Sequence, residues 1–289
     1  MNYDVIIIGA GPAGISASLY TKRSNLNTLV LYQDKSSLEK TDKIENYYGF
    51  ENGISGTDLY QIGMKQAKNI GVDIKKEEVL KIEKSEQGFL IKTTKAEYTA
   101  EAVILATGNK RDRPKIKGIQ ELEGKGISYC AVCDGFFYRN RSVAVLGSGD
   151  YAISEVNDLI NLAKDITILT NGKEKPEFRA ENVKIDTRVL KEIKGENKVE
   201  QVEFKEGPQL KVDGIFIAQG VAGTTEFAKK LGAITQNDRI IVNEKMETNI
   251  KGLYACGDCT GGLLQISKAV YEGTVAGMQV IKYLKKGGK

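Results

Sequence analysis

Cys130-Ala131-Val132-Cys133-Asp134-Gly135 is the segment with the clearest capacity for chemistry. Two cysteines separated by two residues can cycle between dithiol and disulfide, and an adjacent acid can supply or remove the proton this requires. A second pair, Cys256-Gly257-Asp258-Cys259, has the same spacing. Together the two pairs could build a four-cysteine zinc site, since each half has ligand spacing. The acid after Cys133 and the nucleotide-binding patterns around both pairs favour redox work and no metal. The second pair reads better as small packing residues than as a second redox centre, because buried cysteine is usually inert. The chain has no histidine. That excludes Ser-His and Cys-His hydrolases and most catalytic zinc sites, and leaves proton transfer to Asp, Glu, Lys, Tyr, Cys or a cofactor.

Two glycine turns must position this chemistry. Residues 3–8 form an apolar run that predicts a buried parallel strand. Gly9-Ala10-Gly11-Pro12-Ala13-Gly14, a helix to about Arg23 and a strand over 28–31 follow it. Strand, glycine turn, helix and strand within some thirty residues is the context that makes GxGxxG a dinucleotide-binding turn. Gly9 permits the tight turn, Gly11 lets backbone approach a pyrophosphate, and Gly14 lets helix pack on strand. The phosphates then lie at the helix N-terminus. The acid expected at the end of the second strand to hold the ribose is missing. Tyr32 stands there, followed by Gln33 and Asp34. Downstream, residues 103–105 read as a buried strand ending in Ala106-Thr107-Gly108, which would return the chain beside a bound dinucleotide. Gly252-Leu-Tyr-Ala-Cys256-Gly257-Asp258 is another short strand, and Asp258 could accept hydrogen bonds from the ribityl hydroxyls of a flavin. A closing helix over 265–284 carries small residues, Ala269, Gly273, Ala276 and Gly277, toward a close neighbour.

The second turn, Gly147-Ser-Gly149-Asp-Tyr151-Ala152, lies between a strand at 142–146 and a helix at 153–163, with another strand at 166–170. This is the internal repeat of the chain, but its nucleotide contacts look lost. Thr170-Asn171-Gly172 carries neither the acid that would bind the ribose of NADH nor the arginines that would bind the extra phosphate of NADPH. Tyr151 places a phenol beside the turn. Lys173, Lys175 and Arg179 keep NADPH binding open as an alternative.

With 289 residues, 41% apolar and 28% charged, the chain has material for two domains with real cores. The expected fold class is α/β: two Rossmann-like, three-layer dinucleotide-binding domains, the second inserted into the first. Residues 1–113 and 246–289 would form the discontinuous FAD-binding domain, and 114–245 the insert. No apolar run reaches the roughly 18 residues of a membrane span, and no leader pattern precedes the first strand, so a cytoplasmic location is expected. A net charge of +4 without a dense basic stripe argues against nucleic acid.

Over essentially its whole length the chain resembles the low-molecular-weight thioredoxin reductases. The residues carrying the likeness are GAGPAG at 9–14, IENYYGF at 44–50, VILATG at 103–108, CAVCDG at 130–135, GSGDYA at 147–152 and CGD at 256–258. The intact CxxC and flavin motifs beside degraded NADPH motifs look most like the ferredoxin-dependent flavin thioredoxin reductases. The family's basic cluster that grips NADPH would fall at 170–172 and is absent; its Gly-Gly-Gln segment beside the flavin is not recognisable around 36–40. The resemblance implies that Cys133 is the flavin-facing sulfur, Cys130 the one that attacks thioredoxin, and Asp134 the proton carrier. It implies FAD contacts at Gly9, Gly11, Pro12, Ala13, Gly14, Tyr32, Gln33, Asn46, Val79, Ala106, Thr107, Gly108, Gly257, Asp258, Gln265 and Ile266. It further implies a homodimer and rotation of the insert about linkers near 110–116 and 243–248. Ferredoxin as donor is energetically sound: from about −400 mV to about −270 mV two electrons fall by about 6 kcal/mol. Lys110, Arg111, Arg113, Lys115 and Lys117 offer an acidic ferredoxin a docking surface, or merely a solvated linker. The alternatives are an NADPH-dependent thioredoxin reductase with an unusual phosphate grip and a flavin-bearing sensor without turnover.

Overall fold

The structure, a computed structural model, describes residues 1–33, 36–108, 114–129, 131–219, 224–237 and 239–287. Cys130, the side chain of Cys133 and the bases at 110, 111 and 113 lie outside the described residues. The chain divides into two compact units, one made of 1–110 with 223–289 and the other of 111–222. Both carry parallel sheets flanked by helices, as the expected α/β class requires.

The first unit begins with β1 (Asn2–Ile8), α1 (Pro12–Arg23) and β2 (Thr28–Tyr32). Then come α2 (Gly56–Asn69), β3 (Asp73–Lys76), β4 (Val79–Ser85), β5 (Gly88–Thr93) and β6 (Glu97–Leu105). β1 lies between β2 and β6 and is parallel to both, and its Val5–Ile8 stretch is sealed on both faces. That double burial explains an apolar run without alternation. β4, β5 and the first half of β6 form an antiparallel meander.

The second unit holds β7 (Ile127–Ser128), the single-turn α3 (Ala131–Asp134), β8 (Ser142–Leu146), α4 (Asp150–Leu159), β9 (Asp165–Leu169) and β10 (Val183–Asp186). β11 (Leu190–Lys194), β12 (Gln201–Phe204), β13 (Leu210–Lys211) and β14 (Gly214–Ile217) complete it. β10-β9-β8-β14-β7 is one parallel sheet, and β11-β12-β13 is a small antiparallel one.

The chain then returns through α5 (Thr224–Lys230), β15 (Thr235–Gln236), β16 (Arg239–Ile240), β17 (Leu253–Ala255) and α6 (Ile266–Lys285). Residues 223–245, read from sequence as part of the insert, group with the first unit. The reason is local: Asn249 donates to the Gly232 carbonyl and accepts from the Ile234 amide, and Val242 packs on the first unit's core. β17 pairs with the C-terminal half of β6, so both ends of the chain share one sheet. α6 lies against α1 where an added Cβ at Gly273 would come within 2.1 Å of the Ala13 carbonyl oxygen. The small residues of α6 thus serve helix packing. Among the described residues no helix is long and apolar enough to cross a membrane.

Candidate functional site

Four strand ends converge at one edge of the first unit's sheet. Gly9 donates its amide to the Leu31 carbonyl at 2.8 Å, Ala106 donates to Ile8 at 2.8 Å, and Cys256 donates to Leu105 at 3.0 Å. The turns after β1, β2, β6 and β17 therefore lie side by side, where the crossovers leave β1 in opposite directions. Open α/β sheets bind ligands in that crevice. Gly9 takes φ of +113°, and a Cβ on it would lie 2.3 Å from the Ala106 carbonyl oxygen, so only glycine fits. Gly14 is pressed against Gly9 in the same way. Gly11 and Gly108, by contrast, face open space. Backbone is thus exposed at the N-terminus of α1, and Pro12 and Ala13 open its first turn, with Ala13 buried.

Among the described residues, Thr107 Oγ1 after β6 and Gln33 Oε1 after β2 are buried oxygens at this edge without a hydrogen-bond partner. Buried polar atoms are normally paired, so such orphans mark places where a ligand would complete the bonding. Together with the open glycines they fit a dinucleotide such as FAD. Tyr32 is half-buried against the core, and Val79 is buried at the start of β4.

Gly257 (φ +82°) brings its turn within 2.9 Å of Ala13 Cβ, measured from the Cβ it lacks. A network missed from sequence fixes that turn. Glu272 on α6 accepts from the Gly257 amide at 2.8 Å and the Thr260 hydroxyl at 3.0 Å. Lys268 pairs with Glu272 at 3.1 Å and donates to the carbonyls of Gly257 and Gly261. The i,i+4 spacing of Lys268 and Glu272 was the available signal. Burial raises the Asp258 carboxyl above its ordinary pKa, against the opposing pull of Lys268. Asn46 and Gln265 meet across 219 residues of sequence, Nδ2 donating to Oε1 at 3.2 Å, and Ile266 opens α6 beside them.

Cys256 and Cys259 are free thiols inside the core. Cys259 Sγ donates to the Cys256 and Leu105 carbonyls. Burial pushes the Cys256 thiol well up, and that of Cys259 up to about 12.

In the second unit, Asp134 closes α3 and accepts from the Ser128 hydroxyl at 2.7 Å. Between the two cysteines, the Ala131 amide donates to Glu155 Oε2 at 2.7 Å. Glu155 comes from the buried face of α4 and is 1% exposed. An acid on an otherwise apolar helix face was the missed signal. Phe136 and Phe137 follow the pair and are exposed.

The second glycine turn corrects one expectation. Tyr151 does not stand beside the turn but is buried, its hydroxyl directed at the Tyr129 carbonyl at 3.4 Å. α4 begins directly after Gly149, so Tyr151 falls on its core-facing side. The exposed side of that N-terminus carries Asp150 instead. Thr170 donates to the Lys173 carbonyl, and Asn171 accepts from the Leu190 amide, so the end of β9 is folded onto its own loop. Gln219 Oε1, after β14, is buried without a partner among the described residues.

Comparisons with known proteins give the chain its family and its relatives. The model of the pyridine nucleotide-disulphide oxidoreductase family matches residues 3–273. The "34.2 kDa protein in rubredoxin operon" of Clostridium pasteurianum is 38% identical, over 99% of this chain and 98% of its own length. The thioredoxin reductase of Bacillus subtilis is 34% identical, over 98% and 95%. Among solved structures, the atypical thioredoxin reductase TRi from Desulfovibrio vulgaris Hildenborough matches with a TM-score of 0.88 at 37% identity, covering 98% of each chain. A ferredoxin-flavin thioredoxin reductase from Clostridium acetobutylicum gives 0.69 at 35% identity, covering 99% of each.

Proposed function

Because the chain belongs to the pyridine nucleotide-disulphide oxidoreductase family, we propose that it is an FAD-dependent thioredoxin reductase fed by reduced ferredoxin. The observation that carries the first half is the edge of open glycines and orphaned oxygens in the first unit, on a chain aligned end to end with thioredoxin reductases. In this reading the first unit is the FAD-binding domain, and the second is the insert that bears the redox pair. FAD, when bound, supplies a centre that holds one or two electrons, matching a one-electron donor to a two-electron disulfide.

Gly11, Gly108 and the N-terminus of α1 would hold the pyrophosphate, with Asp258 and Thr107 toward the flavin. The Cys130 thiolate attacks the thioredoxin disulfide; one S–S bond breaks and a mixed disulfide forms. Cys133 then displaces the second thioredoxin sulfur, leaving a Cys130–Cys133 disulfide and reduced thioredoxin. Asp134, held by Ser128, carries the proton between these sulfurs. Phe136 and Phe137 give a protein substrate an apolar surface beside the pair. Two electrons from two reduced ferredoxins, with two protons taken up from solvent, return the disulfide to the dithiol.

The donor assignment is supported by the second glycine turn. Asp150 places a carboxylate at the helix N-terminus where a pyrophosphate would sit, and the β9 end offers no acid or arginine to a ribose. One observation favours the NADPH reading instead: the orphaned Gln219 oxygen, with Lys173, Lys175 and Arg179 exposed in the same unit. The test is anaerobic. The purified protein is mixed with excess NADPH, then with reduced ferredoxin, while the visible absorbance of oxidised flavin is followed. Bleaching by ferredoxin alone is the expected result; rapid bleaching by NADPH would transfer the assignment to the alternative.

A further inference from the structure

The acid missing from the end of β2 has a replacement delivered from another strand. In dinucleotide-binding folds a carboxylate at that position accepts the ribose hydroxyls. Here Tyr32 occupies it and packs on the core. One residue later, Gln33 Nε2 donates to Glu78 Oε2 at 2.9 Å. Glu78 precedes β4, and its backbone is fixed from two sides: the Glu77 amide donates to the Tyr32 carbonyl at 2.8 Å, and the Thr94 amide donates to the Glu78 carbonyl at 3.0 Å. Glu77, its neighbour, accepts from the Tyr98 and Thr93 hydroxyls. Through the bond from Gln33, Glu78 is an acid brought to the β2 end.

The arrangement leaves a specific vacancy in the bonding. By giving its amide to Glu78, Gln33 turns its carbonyl oxygen to a buried place where none of the described residues donates to it. A buried acceptor without a donor is costly, and a hydroxyl is the ligand group that would cure it. We propose that Gln33 and Glu78 together read the ribose hydroxyls of the adenosine half of the bound dinucleotide. Gln33 Oε1 and the Glu78 carboxylate act as acceptors for the diol. Two acceptors and a negative charge also exclude a ribose phosphate, so the pair selects an unphosphorylated adenosine. The proposal rests on the FAD reading of the first unit. The bland account is that Gln33 and Glu78 only tie β2 to β4, and it makes a different prediction.

The experiment uses apoprotein stripped of flavin and measures affinity by calorimetry for FAD, ADP and 2′-deoxy-ADP. Wild type should bind FAD, and should prefer ADP to 2′-deoxy-ADP by about tenfold, as expected for a hydrogen bond to a charged acceptor. Glu78→Ala should lose about tenfold for ADP and distinctly less for 2′-deoxy-ADP, so that the preference narrows. Glu78→Gln keeps the shape and tests the charge should the alanine variant not fold; its preference should narrow in the same direction. Equal losses for both nucleotides, or an undiminished preference in the variants, would overturn the proposal while leaving the FAD reading intact. Failure of wild-type apoprotein to bind FAD at all would instead bring down the cofactor reading, and this one with it.

Discussion

Asp134 and Glu155 are both carboxyls held against the segment that carries the proposed redox pair, and their surroundings suit them to different work. Asp134 is partly exposed and held by a hydroxyl, as a group that exchanges protons needs. Glu155 is sealed and holds backbone. Asp134→Asn should therefore lower turnover with thioredoxin by about 100-fold, the scale of a lost general acid-base, with flavin content unchanged in the visible spectrum. Cys133→Ser should abolish turnover outright while the flavin is still reduced by its donor. The second cysteine pair should behave oppositely. Burial holds the Cys256 and Cys259 thiols far above the ordinary thiol range. Iodoacetamide at mildly alkaline pH should then label Cys130 and Cys133 in the folded reductant-treated protein and reach Cys256 and Cys259 only after denaturation. Peptide mass spectrometry reads this, and native labelling of Cys256 would contradict the packing role.

At the scale of elements, the α1–α6 crossing and the β10–β11 corner carry testable energetics. Gly273→Ala would drive a methyl into the Ala13 backbone, and α1 cannot retreat without moving the glycine turn it begins with. A loss of about 1–3 kcal/mol in urea unfolding is expected, with weaker FAD binding. In the second unit Asp186 accepts from Arg188 through both carboxylate oxygens, and the guanidinium lies 3.8 Å from the centre of the Phe204 ring. The Arg188 hydrogen bonds, working against burial, lower the Asp186 pKa. A carboxyl whose folded pKa is depressed contributes stability above its unfolded pKa and loses it as pH falls through the folded value. Arg188→Leu should accordingly cost about 1 kcal/mol at neutral pH, given partial exposure. The deficit should hold to about pH 5 and narrow below about pH 4.

For the whole molecule, the two units divide the labour the proposal gives them: one presents a dinucleotide edge, the other the CxxC. If thioredoxin reduction requires the insert to move between electron entry and substrate, a crosslink between the units should abolish it while flavin reduction persists. A homodimer is the expected solution state, so sedimentation should give twice the 31.7 kDa chain mass.

The glycine spacings at 9–14 and the CxxC with its acid were legible as chemistry because they depend on local sequence: a turn only glycine can make, and two cysteines two residues apart beside an acid. Residues 3–8 read as a buried strand for the same local reason. The resemblance set Asn46, Gln265 and Gln33 around one cofactor, but the bonds that join Asn46 to Gln265 and Gln33 to Glu78 were not legible. Side-chain partners across strands depend on sheet order and register, which pattern alone leaves free. Tyr151 shows the limit sharply. The sequence by itself determined that a tyrosine follows the second glycine turn. Only the tertiary structure decided which side of α4 it faces, because starting the helix at Asp150 sets the phase of every side chain after it.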